Sequence, residues 1–173
     1  MKSWKNVIRI LAGTALVAGL LVSPAANVAA RDNDPLAAVK HATARFHSIP
    51  RAEAAGYAKA LPCFDRPGVG GMGQHYVNFG LANGTLIATQ PQALVYEVDG
   101  DELTLVAVEY IVPYTFVAPT AQPPQLFGHW FFRNDALSLW ALHAWIWRGN
   151  PLGTFANYNP RVELCPGHPP ADD

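Results

Sequence analysis

Three residues carry most of the chemical interest of this chain. His75 alternates with Val77 and Phe79, Glu109 with Ala107 and Leu105, and His143 with Ala141 and Trp145. Each stands in a stretch whose apolar residues recur with the period of a β-strand. A titratable side chain on an apolar strand face is costly unless it is hydrogen-bonded, neutralised or bound to a metal. Two imidazoles and one carboxylate are a known ligand set for zinc, iron(II) or manganese, with positions left open for another ligand. His129, in Phe-Gly-His-Trp, is a candidate fourth ligand at a loop end. No two of these residues form a local motif such as His-x-His or His-Glu-x-x-His, so a site requires separate strands to converge. Two other readings use the same residues. In one, a secreted enzyme uses Glu109 with His75 or His143 as an acid/base pair or as metal ligands, Glu109 being the candidate catalytic group. In the other they are satisfied core groups of an envelope structural or interaction protein.

The elements that must position them are read from periodicity. Asp34 caps a helix predicted over residues 35–47, with Pro35 at its first position. Ser48-Ile49-Pro50 breaks it, and a second short helix follows over residues 50–59, ended near Gly56 or Pro62. From there the pattern turns to period two. The segment Arg66–Phe79 begins as a Gly-rich loop and ends as a strand. It lacks the Gly-Lys-Ser/Thr of a phosphate cradle. Residues 93–98 and 103–112 make a hairpin around Asp99-Gly100-Asp101-Glu102, which places Leu94, Tyr96, Leu103, Leu105, Ala107 and Glu109 on one side. Residues 113–125 hold four prolines and read as an extended crossing loop. Residues 137–148 read as a central strand with Leu139, Ala141, His143, Trp145 and Trp147 on one face. The expected fold is α+β: N-terminal helices followed by a curved, mainly antiparallel sheet or half-barrel. Trp145, Trp147 and Arg148 are candidate ligand-binding residues at the mouth of a cavity under that sheet. A Ser/His/Asp hydrolase is poorly supported, because neither Ser48 nor Ser138 sits in Gly-x-Ser-x-Gly.

Composition bounds these readings. The chain has 173 residues, 50% apolar and 14% charged, enough for one core and too short for two ordinary domains. Residues 1–30 have the layout of a secretory signal: Lys2, Lys5 and Arg9, then an apolar run, then Val28-Ala29-Ala30 at the expected cleavage point. The uninterrupted part, Ile10–Val22, is thirteen residues, short of the ~20 of a membrane span, so no stable span is expected after cleavage. Loss of those three basic residues from twelve leaves nine against thirteen acidic, a net charge near −4. With no basic patch, a nucleic-acid partner is not expected; a small molecule or a divalent transition-metal ion is. The expected location is secreted or extracytoplasmic. Such surroundings favour one disulfide between Cys63 and Cys165, closing a single domain over residues 31–173.

Several segments together, Gly71-Met72-Gly73-Gln74-His75-Tyr76-Val77-Asn78, Val108-Glu109-Tyr110, Leu142-His143-Ala144-Trp145-Ile146-Trp147 and the Asn150-Pro151 and Asn159-Pro160 pairs ahead of Cys165, carry a resemblance. The chain resembles a group of uncharacterised secreted bacterial proteins of about this size, over about residues 35–165. The resemblance implies export and assigns no activity, cofactor or site residue. Metal-binding β-barrels of the cupin type need a local His-x-His followed by Glu, which this chain lacks.

Overall fold

The structure is a computed structural model that describes residues 34–167; the proposed export signal lies outside them. Helix α1 (Pro35–Thr43) starts where Asp34 accepts the Leu36 N–H at 2.9 Å, the cap the sequence calls for. The helix does not run to residue 47. It tightens into a 3₁₀ turn, Ala44–His47, that buries Phe46. Ser48 is extended and ends the turn, and Pro50 sits in the first turn of the next helix, where its missing N–H costs no intrahelical bond. Helix α2 is Ile49–Ala54, shorter than expected. Gly56, at φ +89°, reverses the chain in the left-handed conformation open to glycine.

The residues after Gly56 correct the sequence reading most. Strand β1 (Ala58–Arg66) occupies part of the second predicted helix. It contains Pro62, which lacks an N–H, and it lies at the sheet edge, where a strand can hold proline. Strands β2 (Gly70–Val77), β3 (Ala93–Asp99) and β4 (Glu102–Pro113) follow, then the short pair β5 (Gln125–Leu126) and β6 (His129–Trp130), and finally β7 (Phe132–Asn134) and β8 (Leu139–Ala144). The main sheet has the order β1-β2-β3-β4-β8-β7, antiparallel throughout, and curls into a half-barrel. Over the described residues the protein is mainly β with two short α-helices, so α+β describes it loosely. Among the described residues, no helix is long and apolar enough to cross a membrane.

Register decides what each face presents. In the β3–β4 hairpin Asp99 opposes Glu102, so the turn has two residues, Gly100 and Asp101. Further along, Val95 opposes Ala107 while Tyr96 opposes Leu105, which leaves Val106 as an extra residue in β4. Such a bulge bends its strand and exchanges the faces beyond it. The expected single-sided set is therefore divided. Leu94, Tyr96, Leu103 and Leu105 face the helices together with Val108 and Tyr110. Ala107 and Glu109 lie on the other side with Ala93 and Val95. The Val106 carbonyl accepts the N–H groups of Trp147 and Arg148, at 3.2 and 3.0 Å.

The helix-side face is the larger core. Val39, Phe46, Ala52 and Tyr57 pack on Tyr76, Tyr96, Tyr110, Leu142 and Trp140. Burying each large side chain there contributes about 1.5–3 kcal/mol before entropy is counted. The opposite face is closed by the C-terminal segment. Gly71 lies so close to the Val162–Glu163 backbone that a Cβ would not fit, and it exchanges hydrogen bonds with Asn159 and Val162. Gly70, equally close to the Asn159–Pro160 backbone, and Gly71 thus admit a covering strap. Glu97 accepts the Glu163 N–H, Asp65 accepts the Cys165 N–H, and the Cys63–Cys165 disulfide fixes the end.

Candidate metal centre

The three polar residues of the apolar strands do meet. Glu109 stands directly opposite His143 in the β4–β8 ladder. His75 reaches them from β2, across β3. It opposes Val95, while Glu109 opposes Ala93. Because β3 presents only these small side chains between them, an imidazole and a carboxylate can meet above it. Curl of the sheet shortens the span.

His75 Nε2 lies 3.4 Å from His143 Nε2. Each of these nitrogens lies 3.5 Å from one oxygen of Glu109, His75 from Oε2 and His143 from Oε1. One donor atom from each residue lies within 4.8 Å of the other two, and this is the only such cluster of His, Cys, Asp or Glu among the described residues. These spacings carry chemical information. An O–H···N or N–H···N hydrogen bond would draw its atoms to about 2.7–3.0 Å. Two bonds of about 2.1 Å that meet at the tetrahedral angle place their outer ends about 3.4 Å apart. The observed separations are long for hydrogen bonds and near the second value, with the two histidines facing different oxygens of Glu109.

All three groups are almost wholly buried: His143 is 0% exposed, His75 2% and Glu109 6%. Burial pushes the Glu109 carboxyl up to about 8 and His75 down to about 4, which the nearby Gly73 carbonyl opposes slightly without making a hydrogen bond to Nδ1. Burial, then the neighbouring His75, pushes His143 well below the ordinary histidine value. Without a metal, burial therefore disfavours the charged form of all three groups. The Nδ1 atoms of both histidines are buried without a hydrogen-bond partner. The rings are held instead by aromatic packing. His143 stacks between Phe132 and Trp145, with ring centroids 5.9 and 6.0 Å away and interplanar angles of 8° and 13°. His75 meets Phe64 edge-on at 5.7 Å. Both Nε2 atoms point to the common centre.

The cluster opens into a cavity of about 260 Å³. Its remaining lining is Phe64, Met72, Phe132 and Leu137, with Asn134, Ala136 and Tyr158. The site expected from the sequence contained none of these lining residues. The Asn134-Asp135 turn cue offered part of the signal. With a hairpin there, Phe132 opposes Ala141 and Asn134 opposes Leu139, on the face of His143. Phe64 and Tyr158 come from an edge strand and an irregular strap, which leave no periodic trace.

The other candidates lie elsewhere. Exposed His129, on β6, packs its ring 4.0 Å from Phe155, far from the cluster in the fold. None of Trp145, Trp147 and Arg148 lines the cavity. Trp145 supports His143 from behind and donates its Nε1–H to Ala156 at 2.6 Å. Strand β8 stops at Ala144, so Trp147 leaves the face predicted for it and packs on the helix side, against His47 and below Lys40. Arg148 pairs with Glu97 and donates to the Arg161 carbonyl. Comparisons with family models, curated proteins and solved structures return no match. The reading of the site accordingly stands on its geometry.

Proposed function

We propose that this is an exported metal-binding protein that holds one divalent transition metal, zinc by geometry, through His75 Nε2, His143 Nε2 and Glu109. The observation that carries the reading is the mutual spacing of the donors, 3.4–3.5 Å. It is long for hydrogen bonds, and one donor atom from each residue lies within 4.8 Å of the other two, which supports ligands around one centre. A bound divalent ion would polarise whatever donor completes its coordination from the cavity side. Export is supported by the pattern of residues 1–30 and is compatible with the disulfide.

The partnerless Nδ1 atoms set the expected strength. Metal-bound histidines usually donate the second ring N–H to a carbonyl or carboxylate, and loss of that support costs about 10–100-fold in affinity. Aromatic packing orients the rings here but does not raise their basicity. The metal is therefore exchangeable, weaker than a structural zinc. The test is elemental analysis of protein purified without an affinity tag, then titration with zinc, copper and iron(II) while the thermal transition is followed. About one equivalent of metal and a rise in the transition temperature are expected. Less than about 0.1 equivalent after zinc loading, with no thermal shift for any of the three metals, overturns the reading.

A second reading takes Glu109 as a metal-free general acid/base. It draws on the burial that brings its carboxyl to about 8, close to physiological pH. The same metal analysis separates the two.

A further inference from the structure

We infer that the centre binds a small monoanion with an apolar body of about one ring, its anionic head completing the metal coordination and its body filling the cavity between Phe64, Phe132 and Leu137. This inference rests on the metal-binding reading above. Charge selects the head. A divalent ion held by one carboxylate and two neutral imidazoles carries one net positive charge. Among the described residues, the cavity lining contributes no lysine, no arginine and no second acid. Nearby Arg133 and Asp135 neutralise each other at 2.6 Å. One negative charge is therefore balanced, and a second would be buried without a partner. Three histidines with one open position would leave two positive charges; the single glutamate here lowers that to one.

Size and surface select the body. An apolar cavity of about 150 Å³ accepts a benzene ring, and this one measures about 260 Å³, room for a ring and a head group. It falls below the ~300 Å³ at which sites for larger, drug-sized ligands begin. The walls are two phenylalanines, a methionine and a leucine, with Tyr158 and Asn134 as the only neutral polar side chains. Such a surface gains from burying a hydrocarbon and offers little to a sugar or a peptide backbone.

The experiment uses the protein loaded with cobalt(II), whose visible spectrum reports its coordination, titrated with benzoate, acetate, phthalate and benzylamine. Benzoate is expected to change the cobalt bands and to bind at least about tenfold more tightly than acetate, because only its ring is buried in the cavity. Phthalate, with its second charge, and cationic benzylamine are expected to bind at least about tenfold more weakly than benzoate. Leu137 lies at the mouth, 38% exposed. Both Leu137→Lys and Leu137→Glu remove an apolar wall and should weaken benzoate, the Glu variant several-fold more than the Lys variant, because only the Lys offers the carboxylate a favourable charge. Cobalt content should be unchanged in both. Equal affinity for acetate and benzoate, equal affinity for phthalate, or no spectral response to benzoate in cobalt-loaded protein overturns this inference and leaves the metal reading standing. Failure of cobalt and zinc to bind overturns both.

Discussion

The two faces of the curled sheet bury polar groups in similar apolar surroundings and satisfy most of them differently, although Trp147 Nε1 on the helix side is also buried without a partner. On the helix-side face, three phenols each donate to a backbone carbonyl: Tyr96 to Phe46 at 2.7 Å, Tyr57 to Pro91 at 2.7 Å and Tyr110 to Ala88 at 2.5 Å. Burial raises all three phenols, Tyr57 to about 12, so each keeps its proton and its bond. On the other face, the imidazoles and the carboxylate stand 3.4–3.5 Å apart and two ring nitrogens are unpartnered. A buried polar group that only supports the fold finds a partner at hydrogen-bond distance. The wider spacing of the second set is the feature on which the metal-binding proposal rests.

The largest expected effect is the pH response of the metal-free protein. Glu109 binds its proton up to about 8 in the folded state and only to about 4.5 when unfolded. Between those values the folded state holds the extra proton, so this group's contribution falls as pH rises, by several kcal/mol in all. The histidines work the other way. His75 is lowered from 6.5 to about 4 and His143 is lowered further. The unfolded chain takes up their protons first, so stability also falls as pH drops below 6.5. Metal-free protein should be most stable near pH 6.5, and urea denaturation across pH 4–9 measures this. Glu109→Gln should remove the alkaline decline and abolish metal binding in one substitution, gaining stability at pH 8.5 while losing the site. A Tyr96→Phe protein should keep the wild-type pH profile. A flat profile for the wild type would erase the distinction between the faces.

Next comes the disulfide. It closes a separation of 102 residues, worth about 4–5 kcal/mol in the chain-entropy model. Its two ends tie the strap to the edge strand β1 on the site face. Cys63→Ala with Cys165→Ala should lower stability by that order. It should also raise hydrogen exchange first in the strap and β1, ahead of α1 and the Tyr96 side of the sheet. Simultaneous opening of both faces would show that the strap belongs to the same cooperative unit as the helices.

How far this contrast was legible in the sequence depends on the residue. His75, Glu109 and His143 stood out because a titratable group among apolar strand residues demands an explanation. The hairpin stood out because Gly100, at φ +57°, is the residue a two-residue turn wants. The pairing of Cys63 with Cys165 followed from there being only two cysteines. The bulge at Val106 was hidden, since it is a mismatch in count between two strands and neither strand records it alone. It exchanged the faces of half the hairpin, yet Glu109 and Ala107 stayed together beyond it. Strand β1 was hidden by Pro62 and by mixed exposure along an edge. The cavity walls were hidden because Phe64, Met72 and Tyr158 are gathered only by tertiary structure.

A smaller effect concerns the space between the ligands. Ala93 lies between β2 and β4, opposite both Val77 and Glu109, and is fully buried. Ala93→Val adds two methyl groups where His75 and Glu109 approach each other. Overpacking of this kind costs about 1–3 kcal/mol, and here it should separate the donors as well. Zinc affinity by competition with a chromophoric chelator should fall by about tenfold or more. The same enlargement at Ala144, on the helix-side face, should cost stability alone. Equal effects of the two variants on zinc would mean that the donors do not depend on the small residues of β3.

The smallest effect tests the helix-side face directly. Tyr96→Phe deletes one hydroxyl and leaves the ring that packs on Tyr76 at 5.1 Å. The Phe46 carbonyl, at the end of the 3₁₀ turn, then loses its donor. The net loss for such a bond is about 1 kcal/mol, and the stranded acceptor raises it toward about 2. Urea denaturation should show that loss with an unchanged slope, because the same surface is exposed on unfolding. Zinc content and affinity should not move, since no atom of Tyr96 reaches the other face of the sheet. If instead the loss of this hydroxyl lowers zinc affinity, the two faces are coupled through β3, and the polar groups of one cannot be read independently of those on the other.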